Sequence, residues 1–204
     1  MKLLHAGPSP FVRKVMVLLE EAGKTADMEL VDGFGAPTAP NENVTAANPL
    51  GKIPCLVRDN GPAIYDSRVI TRFLDNHYGT GLYPEGDAIW ETLTLEAHAD
   101  GMMEAAVLCV YEVRCREEGD RSAAWVQAQR DKVNRALDAL EARWLSHLSG
   151  PVGMGHIGVG CALGYLDFRT EMGGFGDWRQ GRPGLAAWGE EFLARASMVA
   201  TAPA

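Results

Sequence analysis

One change of character along this chain restricts its fold more than any other feature. Up to about residue 79, short β-rich runs alternate with helical patterns; beyond residue 87 the strand signals vanish. The break is the stretch Gly79-Thr80-Gly81-Leu82-Tyr83-Pro84-Glu85-Gly86-Asp87, which reads as a linker. The expected organisation is a mixed α/β unit over 1–79, a linker over 80–87 and an all-helical unit over 88–204. A length of 204 residues suits one large domain or two small ones.

Within the first unit, Lys2 to His5 is a short apolar run that suits a buried strand. Gly7-Pro8-Ser9-Pro10 is a turn that ends at a helix start, with Pro10 at the first helical position where its missing N–H costs nothing. Phe11, Val12, Val15, Met16, Leu18, Leu19 and Ala22 recur at helical spacing, and Gly23 stops the helix. Met28 to Asp32 reads as a second strand. Residues 33 to 49 read as loop with at most a short helical turn. Ile53 to Asp59 and Pro62 to Tyr65 form a hairpin, for which Asn60-Gly61 supplies a tight two-residue turn with positive φ angles. Asp66 and Ser67 open a helix that ends near Gly79. This βαβ-then-ββα order demands a mixed sheet of about four strands, because a crossover helix joins a parallel pair and a hairpin an antiparallel one.

The second unit reads as a helix from about Ala88 to Glu118 with a bend at Gly101, and another from Ser122 to about Ser149. A Gly-rich helix follows from about Met154 to Glu171, and a last one after Pro183 with Leu185, Trp188, Phe192 and Leu193 on its buried side. Gly158, Gly160 and Gly164 each weaken an exposed helix by roughly 1 kcal/mol, so they belong where neighbouring helices press close. Trp125, Trp144, Trp178 and Trp188 read as core or domain packing, and Arg114 and Arg116 as solvated or interface charges.

Composition narrows the function. The formal net charge is −8, so a polyphosphate is repelled and nucleic acid is not an expected partner. The apolar runs are short, so no membrane span is expected. The five histidines lack metal-ligand spacing, and no metal site is expected. Cys55, Cys109, Cys115 and Cys161 form no C-x-x-C pair and read as free thiols of a cytoplasmic protein.

Three local features carry chemistry, and the order of elements brings them to one edge of the sheet. Ser9 sits where a strand hands over to a helix, where unpaired N–H groups and the helix dipole favour an anion. Its hydroxyl either caps the helix or donates to a bound thiolate. In Asn48-Pro49-Leu50-Gly51-Lys52-Ile53-Pro54-Cys55, the Ile53–Pro54 bond is a candidate cis peptide. In that case the backbone of Ile53 is free to pair with an extended peptide, as an added strand does; an ordinary trans proline at a strand start is the other reading. In Tyr65-Asp66-Ser67-Arg68, Ser67 and the helix N–H groups suit a carboxylate and Asp66 an ammonium, unless both only cap the helix.

Taken together, Ser9-Pro10-Phe11-Val12-Arg13-Lys14-Val15, then Asn48-Pro49-Leu50-Gly51-Lys52-Ile53-Pro54, then a hairpin and Asp66-Ser67, resemble the glutathione S-transferase family, as a bacterial serine-type member. Gly160-Cys161-Ala162-Leu163-Gly164-Tyr165-Leu166-Asp167-Phe168-Arg169 is similar to that family's buried central helix. The resemblance implies a thioredoxin-like N-terminal domain, an all-α C-terminal domain and a homodimer, with glutathione as co-substrate. It assigns thiol activation to Ser9, backbone pairing to Ile53 before a cis Pro54, and the γ-glutamyl group to Asp66 and Ser67. Lys52 is assigned to the glycine carboxylate. A second, electrophilic substrate is expected between the domains, against Met102, Met103, Ala106, Val107, Val110 and Tyr111. The family's thiol-transfer branches carry cysteine near position 9, so Ser9 disfavours disulfide exchange through a protein thiol. The family's central helix often starts with a Ser/Thr-x-x-Asp capping box; the matching Gly153-Met154-Gly155-His156 lacks both hydroxyl and carboxylate. Two other readings stay open on this scaffold: a glutathione-dependent isomerase, lyase or dehalogenase, and a non-catalytic protein-interaction module.

Overall fold

The computed structural model describes residues 1–203. Strand β1 (Lys2–His5) leads into helix α1 (Pro10–Glu21), and strand β2 (Glu29–Asp32) is followed by the short helix α2 (Glu42–Ala47). Strands β3 (Cys55–Val57) and β4 (Ile64–Tyr65) precede helix α3 (Ser67–Tyr78). The sheet order is β2-β1-β3-β4, with β1 and β2 parallel and the other two pairs antiparallel. The thioredoxin-like mixed sheet of four strands is therefore as read from the sequence.

The hairpin differs in its turn. Cys55 faces Tyr65 and Leu56 faces Ile64, a register that leaves six residues between the strands. Gly61 has φ +94°, but Asn60 does not have positive φ, so no two-residue turn forms. The Arg58 guanidinium instead closes the loop by donating to the Pro62 carbonyl through Nε at 3.1 Å and Nη2 at 2.9 Å.

After a single 3-10 turn come helices α4 (Ile89–Arg114) and α5 (Ala123–Ala139). A π-helical turn over Leu140–Trp144 carries α5 into α6 (Leu145–Leu148). Then follow α7 (Met154–Phe168), α8 (Thr170–Gly173), α9 (Pro183–Leu193) and α10 (Ala196–Ala200). Helix α4 ends four residues before the expected Glu118, it runs through Gly101 without interruption, and α10 lies beyond the last helix expected. Trp178 is buried, whereas Trp125 is half exposed and no core residue.

Helix α7 is the axis of the helical half. Its residues from Met154 to Leu163 are all buried. A side chain at Gly155 would meet Leu95, at Gly158 Ala99, at Gly160 Phe192 and at Gly164 the Arg13 guanidinium. The glycines therefore set how closely α4, α9 and α1 approach α7. Helix α1 is buried on nearly every side, because Val15, Leu18 and Leu19 share the core with Leu3 and Leu56 of the sheet and α3, α7 and α10 pack against it. That is why Arg13 and Lys14 lie inside the molecule: Arg13 Nη2 donates to the Met198 carbonyl at 2.9 Å.

The start of α7 replaces the missing capping box by other means. His156 Nδ1 accepts from the Gly153 N–H at 3.2 Å, which is the acceptor half of the box. With Nδ1 accepting, Nε2 carries the ring proton and donates to the His147 carbonyl at 3.1 Å. The Leu82 carbonyl accepts from the Met154 N–H at 2.9 Å, and it stands where a side chain at Gly153 would have to go.

Candidate functional site

The strand register decides what meets at the site. Leu4 pairs with Cys55 and Cys55 with Tyr65, while His5 pairs with Asp32. The end of β1, the start of β3, the end of β4 and the end of β2 thus form one row. Ser9, Ile53, Asp66 and Phe34 all follow or precede that row by a few residues, so they share one end of the sheet. The features expected to meet at one edge of the sheet lie together at the end of its strands, where the connections leave it.

Ser9 caps α1, with its Oγ accepting from the Val12 N–H at 3.3 Å. A serine hydroxyl has one donor and two lone pairs, so this bond leaves the O–H free to donate. Capping and donation are compatible at this residue. Ser9 is half-buried and borders a small depression with Pro10, Arg13, Cys161, Tyr165 and Pro203. Burial pushes the Cys161 thiol up to about 12, so it stays protonated and is no rival nucleophile.

The Ile53–Pro54 bond is cis. Neither the N–H nor the C=O of Ile53 has a protein partner among the described residues. The preceding loop is held by Asn48, which is buried, donates to the Lys52 carbonyl at 2.8 Å and accepts from the Leu50 N–H at 3.0 Å. Lys52 itself is exposed beside Ile53.

Asp66 has φ +72°, alone among the described non-glycine residues. A non-glycine residue in that region costs of order 1 kcal/mol or more, and such strain gathers at functional sites. Its carboxylate accepts from the Arg68 N–H at 3.0 Å and from the Arg68 guanidinium at 3.2 Å. Burial raises the Asp66 pKa, but the hydrogen bonds from Arg68 outweigh it and hold the carboxyl below the usual range. Asp66 is therefore an exposed anion with lone pairs to spare. Ser67, one residue on, is buried, and its Oγ accepts from Lys14 Nζ at 3.5 Å.

A network that no sequence motif announced runs beneath these two residues. Lys14 Nζ, fully enclosed, lies 2.9 Å from Glu96 and 2.7 Å from Asp100 on α4. Arg68 reaches Asp100 at 3.5 Å, and the Tyr83 hydroxyl donates to Glu96 at 2.8 Å. Burial alone would lower the Lys14 pKa; the two carboxylates outweigh it, so Lys14 stays charged. The loop at Asp66-Ser67 is thus anchored to the helical half by charge rather than by apolar packing. The apolar spacing of α1 gives no sign that Arg13 and Lys14 are buried, since that follows from packing on both faces of the helix.

Helices α4 and α7 pack against each other and against α1. Of the pocket residues expected on α4, Met102, Met103, Ala106 and Val110 lie in the core, each at most 2% exposed. They are core residues and offer no open surface to a ligand. Val107 and Tyr111 are half-buried. Sequence reading missed Tyr165, Phe34 and Arg114 here. Phe34, half exposed, follows β2, and the Arg114 guanidinium lies 5.4 Å from its ring centre, spanning the two halves of the molecule. Arg114 is an exposed charge that also lies over an aromatic ring, whereas Arg116 pairs with Glu112 at 3.0 Å.

Among the described residues, no cluster of His, Cys, Asp and Glu could hold a metal ion, and no helix is long and apolar enough to cross a membrane. Residues 8–77 match the family model of the glutathione S-transferase N-terminal domain, and residues 123–190 that of the C-terminal domain. An uncharacterised GST-like protein of Escherichia coli (strain K12), YibF, is 34% identical over all of this chain and 98% of its own length. The crystal structure of a glutathione transferase family member from Pseudomonas fluorescens Pf-5, with bound glutathione, superposes with a TM-score of 0.95 at 46% identity, covering 100% of this chain and 98% of that one. A glutathione S-transferase from Methylobacillus flagellatus KT with GSH bound superposes with a TM-score of 0.86 at 36% identity, covering 100% and 99%.

Proposed function

Because the chain belongs to the glutathione S-transferase family, we propose that it is a cytoplasmic glutathione transferase that conjugates the tripeptide's thiol to a small apolar electrophile. The observation that carries this reading is the row of groups with hydrogen-bonding capacity left over at one end of the sheet: the Ser9 hydroxyl proton, the Ile53 backbone and the Asp66 carboxylate, which Arg68 engages only in part. Their order fits an extended tripeptide. Asp66 takes the γ-glutamyl ammonium, and Ser67 with the α3 N-terminus takes the neighbouring carboxylate. The cysteinyl backbone pairs with Ile53 beside Pro54, as an added strand pairs with a sheet. Lys52 faces the glycine carboxylate. Binding of glutathione by the similar Pseudomonas and Methylobacillus proteins supports the same ligand here.

The chemistry rests on one property. A thiol of pKa ~8.5 is mostly protonated at neutral pH, and only the thiolate attacks well. The Ser9 O–H donates to the sulfur anion, and the positive end of α1 adds to it. A downward shift of ~2 pKa units needs about 2.7 kcal/mol, within reach of one charge-assisted hydrogen bond and a helix terminus. The thiolate then displaces a leaving group from an electrophilic carbon: the C–S bond forms, the carbon–halogen bond breaks, and halide leaves with the electron pair. Holding both reactants in the cleft, the electrophile against Tyr111 and Val107 with Met103 behind them, supplies the remaining advantage through proximity.

The chain is further proposed to act as a homodimer. Val69 on α3 and Trp90 on α4 are 52% and 65% exposed, large apolar side chains that a second copy would cover.

The direct test is Ser9→Ala. Conjugation of an aryl halide at pH 7 is expected to fall roughly 10- to 100-fold, the worth of a hydrogen bond to a charged group. Glutathione affinity is expected to change by less than about threefold, since the other contacts remain. Equal activity of variant and parent removes Ser9 from the mechanism.

A further inference from the structure

The second-substrate end of the cleft has a charge that the proposed conjugation does not require. Helices α4 and α7 run side by side, with Leu95 against Gly155 and Ala99 against Gly158, so their C-terminal ends lie together. Each end carries a tyrosine and an arginine at helical spacing: Tyr111 with Arg114, and Tyr165 with Arg169. Tyr165 borders the depression at Ser9, and Arg114 reaches over Phe34. The four side chains thus cluster where the two helices end, with Tyr165 buried beside Ser9 and Arg169 also bordering a surface depression with Asp167, Phe168, Thr170, Glu171 and Met172.

These arginines have no acidic partner among the described residues, in a chain whose net charge is −8. Glu171 borders the same depression as Arg169 but makes no salt bridge to it, and the other nearby carboxylates are engaged elsewhere. Glu112 is held by Arg116 and by the Ser122 N–H at 2.6 Å, and Asp167 by Arg179 at 2.8 Å and the Trp178 indole at 2.8 Å. Asp32 accepts from the Phe34 N–H at 3.2 Å. Arg169 lies 3.9 Å from the centre of the Phe168 ring, and its Nε is buried with no hydrogen-bond partner. A buried guanidinium N–H left unpaired is costly, and an anion is what relieves it. The titratable neighbours that act most on the two phenols are these arginines, Cys115 and each other, with no carboxylate among them.

The geometry points to a carboxylate-bearing second substrate: an electrophile with an apolar body against Phe34 and the phenols, and a carboxylate held by Arg114 and Arg169. Arginine presents a planar fork that matches a carboxylate, and the phenol O–H groups can donate to the same oxygens. This inference rests on the proposed glutathione site, and it adds the class of molecule bound beside it. A purely helical role is the rival: cations at the last turns of α4 and α7 also complement the helix dipoles.

Calorimetry with three probes decides between them: glutathione, S-benzylglutathione and S-(4-carboxybenzyl)glutathione. The parent chain is expected to bind the carboxybenzyl conjugate about tenfold or more tightly than the benzyl one, the worth of one charge-assisted bond. Arg114→Gln and Arg169→Gln are each expected to shrink that ratio to less than about threefold while leaving glutathione affinity unchanged. Arg114→Lys, which keeps the charge on an exposed residue, is expected to retain part of the preference. Equal affinity of the parent for the two conjugates overturns the inference and leaves the glutathione site standing. So does a preference that survives both glutamine variants, the result expected if the arginines only complete their helices. Failure of glutathione itself to bind overturns the reading beneath it as well.

Discussion

At the residue scale, His156 shows how one side chain can take over a motif. Its ring accepts from the Gly153 N–H and donates to the His147 carbonyl, so only the neutral Nε2–H form satisfies both. Burial pushes the His156 pKa below its ordinary value, with the hydrogen bond to His147 opposing. An unfolded histidine titrates near ~6.5, so unfolding takes up a proton once the pH falls below that value. Stability from this residue is therefore intact above about pH 6.5 and lost progressively below it. His156→Ala is expected to lower the unfolding free energy by about 1 kcal/mol or more at pH 7.5, a typical cap loss with a cavity added. In denaturant titrations the parent is expected to weaken from pH 7.5 to 5.5, and the variant's loss over that interval to be smaller. The cap was invisible in the sequence because Gly153-Met154-Gly155-His156 lacks both family groups, and a histidine at N3 is no common capping signal. Ser9 was legible by contrast, since a serine before a proline at a helix start has few other uses.

At the element scale, α1 and α7 decide the arrangement of the two halves. The glycines of α7 were legible as close-approach positions, because glycine inside a buried helix weakens it unless something needs the space. Which neighbour each one admits was not legible, since that depends on helix packing across long sequence separations. Gly160 is the sharpest case: an added methyl would meet the Phe192 ring. Gly160→Ala is expected to destabilise the fold by about 1–3 kcal/mol despite alanine's better helix propensity, read as a lowered midpoint in urea. A neutral or stabilising result would mean that α9 can move away from α7. The amphipathic pattern of α1 marked Val12, Val15, Leu18 and Leu19 as buried, and they are. It missed Arg13 and Lys14 because a two-sided burial leaves no polar face for a period to report.

At the scale of the whole molecule, one buried charge cluster ties the sheet half to the helical half. Lys14 meets Glu96 and Asp100 inside, and Arg68 joins Asp100 to the Asp66 loop. Lys14→Met leaves two carboxylates without their cation, and such a loss typically amounts to about 3–5 kcal/mol. The expected outcome is a strongly lowered unfolding midpoint; an unchanged midpoint would show that the network adds nothing to stability. The proposed self-association is tested apart from the fold. Val69→Glu with Trp90→Glu is expected to turn a dimer into a monomer in sedimentation velocity while leaving the circular dichroism spectrum unaltered. A parent chain that sediments as a monomer would contradict it.

The central claim is that this protein binds glutathione at the end of its sheet and ionises the thiol there. Ultraviolet thiolate absorbance of the protein–glutathione complex, followed against pH, measures that ionisation directly. The account predicts a bound thiol whose pKa lies about 2 units below the free value of ~8.5, and a return toward the free value in Ser9→Ala. A bound thiol that titrates like free glutathione, or a complex that does not form, would contradict it.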